Sequence, residues 1–141
     1  MRRFLAIAAL VPLVLTGGCT NEVDQSTRPD NLVGTYQLVS YGGTLLPATI
    51  RADSVTVKVV EGQFNIFPNH EWSETVNFSG TFKGQTQTDV SIATGSWSNI
   101  RDYAYIAFND KVNSYQFSGT AAGNTIVLHT VNGDELVYRR Y

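Results

Sequence analysis

The residues best equipped for chemistry lie in one short run, His70-Glu71-Trp72-Ser73-Glu74, where an imidazole and two carboxylates fall within five positions. A zinc helix needs a second histidine four residues after the first, and position 74 holds glutamate instead. The run also sits among β-forming residues, where positions 70 and 74 share a face only along an unbroken strand. As an acid and base, Glu71 and Glu74 are three apart and point to opposite faces of a strand, which argues against a glycosidase pair unless a bulge intervenes. A solvated turn is the plainer reading. His129, ahead of the final hairpin, could ligate haem or a metal, yet a single histidine at a strand end is ordinarily a surface side chain. Cys19 is the only cysteine, and the chain has neither a Gly-x-Ser-x-Gly elbow nor a glycine loop to cradle phosphate. These negatives point to a non-enzymatic protein with no metal and no cofactor.

The elements that would position any site begin at Asn31, from which short β-rich runs alternate with Gly, Asn and Asp at intervals of roughly ten residues. No apolar pattern of helical period persists for three turns, so the fold is all-β. The expected strands are Gly34 to Tyr41, Ser54 to Val60, Gln63 to Phe67, Glu71 to Lys83, Asp89 to Ser98, Tyr103 to Phe108, Ser114 to Gly119, Thr125 to Val131 and Glu135 to Tyr141, the fourth breaking near Gly80. Glu61-Gly62, Gly123-Asn124 and Asn132-Gly133 carry the chemistry of tight hairpin turns. Alternation places Tyr36, Leu38, Val55, Val57, Val59, Phe64 and Ile66 on the inner face. Further along, the inner set is Trp72, Val76, Phe78, Val90, Ile92, Ile106, Phe108, Tyr115, Phe117, Ile126 and Leu128. Tyr103 and Tyr105 then form a stripe on the opposite face. A meander of eight or nine strands leaves two exposed edges unless it closes, and closure at about eight strands gives an interior just wide enough for side chains or one small ligand. An antiparallel up-and-down barrel is therefore expected, with a β-sandwich as the alternative; pairing of the first strand with a late one decides between them.

Ahead of this domain the chain opens with Arg2 and Arg3, an apolar run from Phe4 to Leu15 interrupted by Pro12, and then Thr16-Gly17-Gly18-Cys19, the order of a secretory signal peptide. As a helix the apolar run would rise roughly 18 Å against a hydrocarbon core of about 30 Å, too short to span. Residues 20–30 are polar and free of aromatics, the composition of a tether. The expected organisation is a signal over 1–18, a modified cysteine and tether over 19–30, and one β-domain over 31–141. The whole chain carries a formal charge of −2. Without Arg2 and Arg3, eight basic residues face twelve acidic ones, giving −4, and no basic stripe exists to attract nucleic acid or an anionic membrane.

The segment around Cys19 resembles the lipobox of bacterial lipoproteins, with Leu15 four residues before the cysteine instead of three. The resemblance implies cleavage before Cys19, lipidation of its thiol and acylation (palmitate) of the new amino terminus. Several acyl chains hold a protein at the membrane effectively permanently, whereas one holds it marginally. Thr20 is not the aspartate that favours inner-membrane retention, so the implied address is the cell envelope, at the outer membrane where one exists.

Gly34-Thr35-Tyr36-Gln37-Leu38-Val39-Ser40, followed by Gly43 and Leu46-Pro47, resembles the opening of lipocalin-like domains in small bacterial lipoproteins, with Tyr36 in place of their tryptophan. In Tyr138-Arg139-Arg140 there are two candidates for the arginine that such barrels set against that aromatic. Gly95-Ser96-Trp97 is a second Gly-x-aromatic stretch of the same style. The resemblance implies a lipocalin-like barrel and no particular substrate. Two functions are expected: a membrane-anchored binding module for a small apolar ligand, lined by Tyr36, Phe64, Trp72, Ile106 and Phe117, or a structural or protein-interaction lipoprotein with a solid barrel.

Overall fold

The computed structural model describes residues 32–52, 55–82, 84–101 and 105–141. The signal segment, Cys19, the tether and Tyr103 lie outside the described residues. The strands are β1 (Gly34–Tyr41), β2 (Thr44–Leu45), β3 (Ala48–Ala52), β4 (Val55–Ile66), β5 (Glu71–Phe82), β6 (Gln85–Arg101), β7 (Tyr105–Asp110), β8 (Gln116–Ala122), β9 (Thr125–His129) and β10 (Glu135–Arg139). From β4 to β10 each strand pairs antiparallel with the next, and β1 pairs with both β10 and β4. Gly34–Tyr41 therefore bonds to a late strand, and the sheet is a closed eight-stranded up-and-down barrel of lipocalin-like form, not a sandwich. The short β2 and β3 occupy the β1–β4 connection, β2 against the end of β1 and β3 against the first half of β4.

Three irregularities shape the barrel. Glu61-Gly62 is no hairpin turn: β4 runs straight through it, and a register shift between Val59 and Glu61 leaves Val60 as the extra residue. The bulge changes the inward positions from odd to even, so Val59 and Phe64 are both fully buried although five residues apart. A similar shift between Leu38 and Ser40 turns Tyr41 toward Leu136, and a third lies between Asn99 and Arg101. β5 continues past Gly80 without a break.

Most of the expected inner face is buried, including Tyr36, Phe64, Ile66, Trp72, Ile106, Phe108 and Ile126. Val90, Ile92 and Tyr115 are exceptions: they are 52%, 64% and 37% exposed, and on β6 Ala93, Gly95 and Trp97 face inward in place of Val90 and Ile92. The small residues are required there. A methyl group built on Gly95 would stand 1.8 Å from the Asn109 carbonyl oxygen and 2.6 Å from Trp72 Nε1, so only glycine lets β6 and β7 close over the Trp72 ring.

From one end inward the barrel is filled with rings, a cluster that reaches Phe117 and Tyr138 midway along the interior. Phe64 has Trp72, Phe108 and Tyr138 each at 5.4 Å between centroids, and Phe117 stacks on Phe108 at 5.0 Å. Such pairs contribute about 0.5–1.5 kcal/mol each beyond the area they bury. Arg140 closes this end, its Nη1 donating to the Val33 carbonyl at 3.1 Å and its guanidinium lying 5.4 Å from the Tyr36 ring centroid. Of the two candidate arginines, Arg140 makes the aromatic contact. Tyr36 in turn donates its hydroxyl to the Leu32 carbonyl at 2.8 Å.

Candidate functional site

Toward the other end the barrel holds a cavity of about 230 Å³ whose chemistry comes from polar residues set in the inward-facing rows. Glu74 lies on β5 in phase with Trp72, Val76 and Phe78, paired across the sheet with Phe64 on β4 and Ala93 on β6. That phase sends its carboxylate inward. Tyr138, opposite Leu38 on β1, donates its hydroxyl to Glu74 Oε1. Tyr41, turned inward by the β1 bulge, donates to Asp134 Oδ2 at 3.0 Å. Asp134 is held by the rim loop, where its backbone NH donates to Thr130 Oγ1 at 3.0 Å and Gly133 supplies the left-handed φ of 86° that the Asn132-Gly133 turn requires. Tyr115, just ahead of β8, bonds the Asp110 carboxylate. Phe117, Leu128, Val131 and Leu136 supply the apolar walls.

Electrostatics at this mouth are uniformly anionic. Burial pushes the Glu74 carboxyl above the usual carboxylate range and the charge of Asp110 adds to it, with the Tyr138 hydrogen bond acting the other way. Burial likewise raises Tyr138 well above an ordinary tyrosine, reinforced by Glu74. Tyr41 is pushed up to about 12 by burial, its bond to Asp134 and the charges of Asp134 and Glu74. Tyr115 is raised by burial and by Asp110. The phenols are therefore neutral donors at ordinary pH. Asp110 behaves oppositely: burial would raise it, but bonds from Asn113, from the Val112 and Asn113 backbone and from Tyr115 hold it below the usual range.

The sequence-derived residues distribute unevenly. Phe117 lines the cavity, whereas Tyr36, Phe64, Trp72 and Ile106 are buried in the barrel interior. Glu71 and Glu74 do face opposite ways, but from a strand and not from a solvated turn. Glu71 is exposed and paired with Lys111 at 3.2 Å, while Glu74 points into the barrel. His70 lies 4.8 Å from the Trp97 ring, and His129 is exposed at the end of β9. Among the described residues no group of three His, Cys, Asp or Glu is arranged to hold a metal ion. Tyr105 is exposed on the outer face.

Sequence reasoning singled out Glu74 but as half of a pair with Glu71 in a solvated turn, and passed over Tyr41, Tyr138 and Asp110 as partners of a site. The signal was present, since Glu74 and Asp110 each occupy the inward phase of an otherwise apolar stripe, Trp72-x-Glu74-x-Val76 and Ile106-x-Phe108-x-Asp110. A larger recess of about 430 Å³ lies along the inner side of the strands that extend beyond the barrel, between Val57, Phe78 and Gln87. Its one carboxylate, Asp89, is exposed, so the chemistry is concentrated at the mouth instead. The chain matches no protein-family model and no curated protein.

Proposed function

We propose that this chain is a non-enzymatic bacterial lipoprotein, anchored through lipid on Cys19 in the cell envelope, whose barrel binds a small ligand with an apolar body. The observation that supports a ligand is the 230 Å³ cavity at the barrel mouth, walled by Phe117, Leu128, Val131 and Leu136. It is smaller than the roughly 300–1,000 Å³ that drug-sized ligands occupy, which limits the occupant to a compact molecule. Filling it tests the reading. In calorimetric titration with 1-hexanol, the protein should bind, and Leu136→Trp, which puts an indole into the cavity, should abolish binding while the fold persists; equal heats from both proteins would overturn the assignment. The anchor has its own test. Cys19→Ala should move the protein from membranes to the soluble fraction on detergent-free fractionation, and retention at the membrane would remove the lipoprotein reading.

A scaffold that meets another envelope protein is favoured by one observation, the outward Val90 and Ile92 on the extended part of β6. Crosslinking in intact cells from a reporter at position 92 should then recover one discrete partner; its absence would count against that reading.

A further inference from the structure

The mouth of the barrel carries more negative charge than its own hydrogen bonds satisfy. Glu74 has one hydrogen-bond donor among the described residues, Tyr138, although a carboxylate accepts about four. Asp110 and Asp134 are each already engaged: Asp110 by Asn113, Val112 and Tyr115, Asp134 by Tyr41. Among the described residues no lysine or arginine partners any of these groups. Lys111 is spent on Glu71 outside the barrel, and Arg140 lies over Tyr36 at the opposite end. Around the carboxylate stand the aromatic residues Tyr41, Tyr115 and Phe117, with the Tyr138 hydroxyl on the carboxylate itself. Leu128 and Leu136 extend the apolar wall beyond them. A partly buried carboxylate with one donor, and a short wall of aromatic and aliphatic side chains, are together complementary to one chemical class.

Resting on the reading of the barrel as a ligand carrier, we propose that the mouth is an ammonium site: it takes a small primary amine, the ammonium on Glu74 and the hydrocarbon body against Phe117, Leu128 and Leu136. An anionic ligand would meet the Glu74 carboxylate in the cavity wall. A neutral one would gain the walls but leave the carboxylate half-satisfied, whereas an ammonium supplies three donors and a full charge where water is partly excluded.

The titratable groups facing Glu74 are Tyr138 from β10, Tyr41 from β1, Asp110 from β7 and Tyr115 from the approach to β8. The tyrosines stay protonated through neutral pH, Asp110 ionises at lower pH than Glu74, and Asp134 faces Tyr41 at the rim and not Glu74, so the pH dependence of amine affinity below neutrality belongs to Glu74. Its carboxyl titrates above the usual range, and affinity should rise as pH increases through that titration.

The test uses the full chain carrying Cys19→Ala, so that no detergent competes, and three probes of one length: hexylamine, 1-hexanol and hexanoate. Hexylamine should bind at least tenfold more tightly than 1-hexanol at pH 7.5, with hexanoate weakest. Its affinity should fall severalfold at pH 4.5 while that of 1-hexanol holds. Glu74→Gln should abolish the preference, bringing hexylamine to the level of 1-hexanol measured on the same variant. Should that variant not fold, the pH profile of the parent protein carries the test alone. Hexylamine binding no tighter than 1-hexanol, a flat pH profile, or a preference that survives in Glu74→Gln overturns the ammonium site and leaves the apolar carrier standing. Binding of none of the three probes overturns both.

Discussion

Glu74 and Asp110 are two inward-facing carboxylates with opposite consequences for stability. Glu74 is raised by burial, so the folded state disfavours its ionised form. The stability it contributes is fully present below the ordinary glutamate range and is lost as pH rises through its elevated pKa. Glu74→Gln removes that loss. Its unfolding midpoint relative to the parent protein should therefore increase between about pH 4 and pH 7, as urea titrations at the two pH values would show, and a gap that narrowed would contradict the burial argument. A cost of this kind to the fold is what the proposed ammonium site would require of Glu74. Asp110 has the opposite sign. Its pKa is lowered, so its contribution is present above the ordinary aspartate range and is lost as pH falls through the depressed value. It is only 4% exposed, and its Oδ1 accepts from Val112 and Asn113 backbone NH groups at 2.7 and 2.9 Å, pinning the turn after β7. Asp110→Ala leaves those donors without their acceptor and should cost about 1–3 kcal/mol at neutral pH, measured by urea unfolding.

At the scale of the element, the β6–β7 pair depends on a single absent side chain. With the Asn109 carbonyl 1.8 Å from any β-carbon at Gly95, and Trp72 Nε1 at 2.6 Å, Gly95→Ala must separate the two strands or expel the indole, and neither move is confined to a flexible side chain. We expect a loss above about 3 kcal/mol, seen as a collapse of the thermal transition, whereas Gly84→Ala in open space at the β5–β6 turn should cost only the strain of a φ of 78°. The sequence displayed Gly95-Ser96-Trp97 as a pattern without revealing what the glycine accommodates, because the clash is with residues 14 and 23 positions away. Elements were legible where alternation is strict, as in Gly34–Tyr41, whose bounds match β1, and in Ile106-x-Phe108 and Ile126-x-Leu128. They were misread where one residue shifts the phase. Val60 converts what resembles two strands and a Glu61-Gly62 turn into one bulged strand, and a Glu-Gly pair serves a bulge as readily as a hairpin. Val90 and Ile92 were assigned inward because they are the apolar half of their alternation. Trp97, an odd number of positions away from Val90, lies on the other face and settles the register. The site was less legible than the fold for a physical reason: an inward carboxylate breaks the apolar stripe that identifies the strand, and only the closed barrel brings Tyr41, Tyr115 and Tyr138 from distant parts of the chain around it.

For the molecule as a whole, the barrel is two halves with different mechanical character. Toward Arg140 the interior is filled by interlocked rings and shut by a guanidinium bonded to the Val33 carbonyl. Toward Glu74 it is open, and β5 and β6 run on past the barrel to Phe82 and Gln85 with exposed residues from Gln85 to Ile92. Opening free energies follow buried apolar contact, so amide exchange should be graded along the barrel axis. Phe64, Ile106 and Ile126 should exchange only through global unfolding, while Gln85 to Asp89 exchange orders of magnitude faster through local opening. The proposed carrier would use this division, the ring-filled half holding the register of the eight strands while the mouth took up and released an occupant. Saturation with hexylamine separates the two contributions. Protection should increase at Leu128, Leu136 and Tyr41 around the cavity beyond the uniform gain that binding gives to globally exchanging amides. An increase confined to the uniform term would mean that the mouth is as rigid empty as filled, and the open half of the barrel would then be a preformed cup rather than a gate.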